Sequence, residues 1–191
     1  TLTTFAKDGS ILASSHGVFI GNNGEAVALW TPFKGAAKAV VIDANGNKMN
    51  VETIDGANEI YDICNFRGDG KAIGATLAAH QANKGEKVWL ASYSVKKPSA
   101  KQIPVSNTEK FNNTYHYYIF SSQEDDINIG CPILNSKGEI LGLLQKSVKG
   151  DEIHATDARF AYDQKISGMS VNDPVLKSTE IRTTLPDTHN D

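Results

Sequence analysis

No run of about eighteen apolar residues occurs in the chain, so no membrane-spanning helix is expected. Charge of one sign is also missing. Nineteen Lys and Arg stand against twenty-two Asp and Glu, scattered to a net −3. Without a basic stripe, nucleic acid is excluded as the expected partner. Only two cysteines occur, Cys64 and Cys131, with no CxxC. That rules out a disulfide framework and leaves open two buried thiols or one bridge. His16, His80, His116, His154 and His189 share no metal-ligand spacing with each other or with the cysteines, so no metal is expected. The short acidic run Glu124-Asp125-Asp126 reads as a solvated loop rather than a calcium site. No cofactor motif, internal repeat or low-complexity segment is present. The chain opens at Thr1 with neither Met nor a signal-like apolar run, as expected of a processed chain or a piece of a longer one.

What remains is 191 residues, 40% hydrophobic and 21% charged, enough for one ordinary domain or two small barrels sharing an interface. Short apolar runs recur between turn residues at an all-β spacing. They are Gly17 to Ile20, Ala26 to Trp30, Ala39 to Asp43, Val51 to Ile54, Tyr61 to Phe66 and Val88 to Tyr93, then Tyr115 to Phe120, Pro132 to Asn135 and Glu139 to Gln145. Asn45-Gly46 suits a tight hairpin, and Asn135-Ser136-Lys137-Gly138 is a turn whose glycine takes positive φ. Tyr115, Tyr117, Tyr118 and Phe120 alternate imperfectly, as strand residues dividing between core and rim do. Helix signals are fewer: Ala75 to Asn83, Asp157 to Ile166, and Val175 to Leu185 behind Asp173-Pro174. The last carries Val175, Leu176, Ile181 and Leu185 as its apolar positions.

Three segments resemble the trypsin-like peptidase family, especially its bacterial members. Gly17-Val18-Phe19-Ile20, Asn23-Gly24 and Phe33-Lys34-Gly35-Ala36 resemble the stretch that leads to the family's catalytic histidine. Counting back from Gly35-Ala36 puts that position at Thr31. Tyr61-Asp62-Ile63-Cys64-Asn65-Phe66 resembles the strand carrying the triad aspartate, at Asp62. Asn128 to Gly142 resembles the segment around the nucleophile, in register at Pro132, Asn135, Gly138 and Gly142. The serine of that motif falls on Ile129 and the glycine of its oxyanion hole on Ile127.

The resemblance implies two six-stranded antiparallel β-barrels, one over residues 1–95 and one over 96–168, followed by a helical tail or linker at 169–191. The connection between barrels is expected from Ser94 to Phe111, at Lys96-Lys97-Pro98-Ser99. It also implies a catalytically inactive domain, not an enzyme. Ile129 has no nucleophilic atom, a threonine hydroxyl is no base, and a β-branched Ile127 resists the backbone of an oxyanion hole. Asp62 alone survives and needs a donor, which the Thr31 hydroxyl supplies if the register holds. Cys131 lies two positions past the nucleophile, and an active peptidase using it or an unrecognised serine is the alternative. The pattern further resembles a bacterial group in which a degenerate trypsin-like domain precedes tetratricopeptide repeats. That resemblance implies an extracytoplasmic protein, a protein- or peptide-binding role, and fusion to helical repeats after Ser170.

Overall fold

Strand β4 (Glu25–Leu29) shows how alternation builds this molecule. Ala26 and Ala28, with Trp30 just beyond, enter one apolar core, while Val27 and Leu29 point the other way into a second. A strand buried on both faces reads as a continuous apolar run. The computed structural model describes residues 1–92, 99–110, 115–121, 129–145, 152–163 and 168–169.

The first sheet contains β1 (Leu2–Phe5), β2 (Ile11–Ser15), β3 (Gly17–Phe19), β4, β5 (Lys38–Ile42), β6 (Lys48–Asn58) and β7 (Ile63–Gly68). Their order is β2-β1-β5-β6-β7-β4-β3, all antiparallel. The second contains β8 (Lys87–Ser92), β9 (Ser99–Pro104), β10 (Asn107–Lys110), β11 (His116–Ser121), β12 (Pro132–Leu134), β13 (Ile140–Gln145) and β14 (Glu152–Asp157). Here the order is β10-β11-β14-β13-β12-β8-β9. A two-residue strand, β15 (Gly168–Met169), returns to pair with β6.

Each order closes on itself through the chain. β2 and β3 lie at opposite ends of the first sheet with only His16 between them. β9 and β10 do the same in the second sheet, joined by Val105 and Ser106. Those two residues bond to both flanks, Val105 N–H to Glu86 O at 2.9 Å and Ser106 N–H to Ile119 O at 2.9 Å. Taken as single bent strands, these pairs reduce seven strands to six around each core, the count expected from the sequence. Closure leaves few free strand edges.

Inside the first barrel lie Trp30, Phe33, Ile54 and Phe66, and inside the second Tyr118, Phe120, Ile133 and Leu144. Between them, Val27, Leu29 and Ile63 meet Ile140, Leu143 and Phe160. Each such side chain contributes about 1.5–3 kcal/mol on burial, which ties the barrels together. The β12–β13 pairing slips between Ile133 and Leu134, and that bulge lets β13 send Leu141 and Leu144 inward but Ile140 and Leu143 to the interface.

Three sequence expectations change. The chain leaves the first sheet at Gly68 and joins the second at Lys87, ahead of the Ser94–Phe111 window. The boundary therefore moves from 95/96 to the segment 69–86, and β15 near the C-terminal end of the second stretch belongs to the first sheet. Lys96, Lys97 and Pro98 lie outside the described residues, and the strands on either side of them, β8 and β9, both belong to the second sheet. Second, residues 75–83 are not helical. Their backbone is spent on strands, with Ala75 N–H to Phe19 O, Ala78 N–H to Ile140 O and Ile140 N–H to Thr76 O, each 2.8 Å. Third, the described part of 157–166, residues 157–163, holds a 3-10 turn at Ala158–Ala161, capped by the Asp157 carboxylate on Arg159 N–H, and residues 164–166 lie outside the described residues. The expected helix at 175–185 lies outside the described residues.

Candidate functional site

After β4 the chain turns through a short 3-10 segment, Thr31–Phe33, whose second residue, Pro32, presets φ. Phe33 plugs the first barrel and stacks on Trp30, with ring centroids 6.1 Å apart. Anchored this way, Thr31 faces the turn before β7. Asp62 sits in that turn with φ +53, the one non-glycine residue of positive φ among the described residues. Aspartate tolerates that region better than most side chains, and holding it there requires fixed partners.

The partners are present. Asp62 O accepts Trp30 N–H at 3.1 Å. Its Oδ1 accepts both the Thr31 N–H and the Thr31 hydroxyl, each at 2.7 Å. The expected Thr31–Asp62 pairing is therefore realised. Burial pushes the Asp62 carboxyl above its usual value, while the Thr31 donors and Lys34 oppose it. Lys34 also stands 3.6 Å from Glu59. Beneath this pair the Cys64 thiol is fully buried and pushed well up by burial and by the Asp62 charge.

Ile129, three residues ahead of β12 in the second barrel, keeps 39% of its surface exposed. Next to it Gly130, at φ +91, donates to Leu144 O at 2.8 Å. A β-carbon on Gly130 would lie 2.7 Å from His16 O and 2.8 Å from Ser15 Oγ, so this segment is pressed against the corner between β2 and β3. Gln145, one residue after Leu144, reaches across the barrels to Tyr61 O at 2.6 Å. Thr31 and Asp62 thus touch directly, and Ile129 is joined to them through Gly130, Leu144, Gln145 and Tyr61. Ile127 and the acidic run 124–126 lie outside the described residues.

Cys131 is completely buried, and no disulfide joins it to Cys64. Among the described residues no three His, Cys, Asp or Glu side chains gather as metal ligands. His80 is exposed, His116 Nδ1 lies 2.7 Å from Ala82 O inside the second barrel, and His16 borders Gly130.

One cluster escaped the sequence reading. Tyr117 Oη stands 2.5 Å from His154 Nδ1, and Glu152 Oε1 lies 3.6 Å from His154 Nε2. The signal was the alternation of β14, where Glu152, His154 and Thr156 face outward and Ile153 and Ala155 inward. It was masked because all three outward residues differ in type and none repeats along the strand.

Two closed antiparallel barrels, each ending on a bent strand and packed through an apolar seam, make the trypsin-like double-barrel fold. Among the solved structures that share it is the Rv3671c protease from M. tuberculosis, in its active form and in its inactive form. The active form superimposes with a TM-score of 0.70 at 12% identity, covering 91% of this chain and 82% of that one. The inactive form gives 0.66 at 11% identity, covering 87% of each. No protein-family model and no curated protein matches the chain.

Proposed function

We propose that this chain is a catalytically inactive trypsin-like domain that binds a protein or peptide segment within a larger extracytoplasmic bacterial protein. The observation that carries the reading is the occupant of Asp62. In a triad that carboxylate orients an imidazole, and here the Thr31 hydroxyl and N–H take its Oδ1. A threonine hydroxyl removes no proton from a nucleophile at neutral pH. Ile129 offers no heteroatom to attack a carbonyl. Loss of a whole triad lowers kcat by about 10⁶ in a well-studied peptidase. The alternative nucleophile Cys131 is shut away from solvent, which weighs against a thiol mechanism. A double barrel without catalysis still presents strand backbone and a border between barrels, and extended peptides bind by adding to such strands. In the same reading, residues 170–191 connect the domain to helical repeats.

The test is direct. The purified chain should hydrolyse no peptide or ester and take no label from a fluorophosphonate. Thr31→His with Ile129→Ser should still give little activity, because a β-branched residue at 127 disfavours the backbone that oxyanion donors need. Ile127→Gly as a third change is where weak turnover should first appear. A displayed peptide library should return binders that Ile129→Glu weakens. Turnover by the unmodified chain would overturn the reading, as would binders indifferent to that substitution.

A further inference from the structure

We propose that the Lys71–Ala72 peptide bond is a processing site for a peptidase that takes a basic side chain, and that the cut chain stays assembled as a double barrel of two pieces. The inference goes beyond the peptide-binding reading and does not rest on it.

The bond lies where the chain crosses from the first sheet, left at Gly68, to the second, joined at Lys87. Just past Gly68 the backbone is tied down. Asp69 N–H donates to Asn50 O at 2.9 Å, and its carboxylate accepts Asn50 N–H at 3.0 Å and Nδ2–H at 3.1 Å. At Ala75 it is tied again, with N–H on Phe19 O at 2.8 Å and its carbonyl accepting Gly21 N–H at 3.1 Å. Between these anchors, residues 70–74 make no backbone hydrogen bond with any described residue. Lys71 is exposed, and Ile73 keeps 95% of its surface in solvent. Close packing is confined to the two ends of the stretch. A β-carbon on Gly74 would stand 2.3 Å from Gly21 O, and one on Gly24 would stand 2.2 Å from Gly70 O.

A peptidase holds its substrate extended, with the substrate backbone paired to its own strand edge. A segment already committed to a sheet or turn must open first, so nicking follows the burial and hydrogen bonding of the backbone concerned. Residues 70–74 have no such bonds to break. Every other described Lys or Arg lies in a strand, in a 3-10 turn or at its cap, or in a turn closed by a backbone hydrogen bond. Lys7 and Lys84 are the nearest rivals. Lys7 stands in a turn closed by Gly9 N–H on Ala6 O at 3.0 Å. Lys84 is flanked by Glu86 N–H on Asn83 O at 3.0 Å and Gly85 N–H on Val105 O at 2.8 Å. Hydrolysis adds water across the bond. The Lys71 carbonyl carbon takes the oxygen and becomes a carboxylate, the Ala72 nitrogen leaves as an ammonium, and no further reactant is needed.

The two pieces remain joined by non-covalent contacts alone, because Cys64 and Cys131 are free. Residues 1–71 carry β1 to β7, and the remainder carries the second sheet and β15. Three attachments cross the cut. β15 pairs with β6 at Gly168 with Asn58 and Met169 with Ala57. Ala75 keeps its bonds to Phe19 and Gly21. The seam buries Val27, Leu29 and Ile63 against Ile140, Leu143 and Phe160. Each attachment lies outside residues 70–74, so none is lost when the bond breaks.

Brief digestion of the whole chain with trypsin, which cuts after Lys and Arg, tests this when mass spectrometry reads the singly cut chains. The Lys71–Ala72 bond should be cut at least about tenfold faster than Lys84–Gly85 or Lys7–Asp8. Lys71→Gln should abolish that cut and Lys71→Arg should keep it. Lys71→Glu should hand the same bond to a glutamate-specific peptidase, a result that depends on the backbone and not on lysine. In gel filtration the cut chain should elute at the size of the intact one and come apart only in denaturant. Equal cutting after Lys71 and Lys84 would overturn the site, as would a Lys71→Glu chain that the glutamate-specific peptidase leaves whole at residue 71. Separation of the pieces in native buffer would overturn the two-piece assembly. None of these results depends on whether the chain binds or hydrolyses peptides.

Discussion

Thr31 and Asp62 place two hydrogen bonds on one carboxylate oxygen that burial pushes towards protonation. Thr31→Val deletes the hydroxyl donor, so the Asp62 carboxyl should move further up. An acid whose folded pKa lies above its unfolded value holds more protons in the native state. Its contribution therefore turns favourable as pH falls through the folded value and unfavourable as pH rises. The variant should lose about 1 kcal/mol near neutral pH and less near pH 4. Urea unfolding at the two pH values reads this, and equal losses at both would contradict it. The cysteines give a second residue-scale expectation. Cys64 and Cys131 are both buried and unbridged. A thiol reagent should therefore leave the native chain unmodified and titrate two thiols after unfolding.

At the scale of elements, glycines with positive φ differ in what surrounds them. Gly138 ends the turn between β12 and β13 at φ +76, with open space where a β-carbon would stand. The Asn135 carbonyl accepts the Gly138 N–H at 3.0 Å, as its sequence turn signal required. Gly138→Ala should cost about 1 kcal/mol of backbone strain alone. Gly130 combines φ +91 with backbone 2.7 Å from the missing β-carbon, on the corner that closes the first barrel. Gly130→Ala should cost at least about 2 kcal/mol more than Gly138→Ala, because the corner itself must move. Similar losses in denaturant titrations would show that the contact between Gly130 and His16 is loose.

For the whole molecule, the seam between the barrels sets cooperativity. Val27, Leu29 and Ile63 of the first barrel share one buried cluster with Ile140, Leu143 and Phe160, and Leu143 is fully buried. Unfolding one barrel would expose the other's half of that cluster, so calorimetry should show a single transition. Leu143→Ala should destabilise the chain by about 2–5 kcal/mol. Two separate transitions in the unmodified protein would mean that the seam couples less than its burial implies.

The sequence by itself determined the strand content, the turns at Asn45-Gly46 and Gly138, and the Thr31–Asp62 pairing, which follow from short-range patterns and motif register. Gly46, for example, takes φ +85 in the β5–β6 hairpin, but Asn45 does not share it. Gly46 N–H returns to Asp43 O at 3.1 Å, so the loop is a residue longer than the two-residue turn that Asn-Gly favours. Edge strands such as β2 and β10 were not legible, because their side chains are largely exposed and carry little apolar alternation. Nor was the path of residues 69–86. Alanine-rich sequence favours helix locally, but the hydrogen bonds that Ala75 and Ala78 make lie on strands far away in the chain. Only the tertiary structure decided where the chain crosses between barrels, and only it set Tyr117 against His154. These contacts depend on which strands become neighbours once each barrel closes, and closure is a property of the whole sheet that no local run of residues encodes.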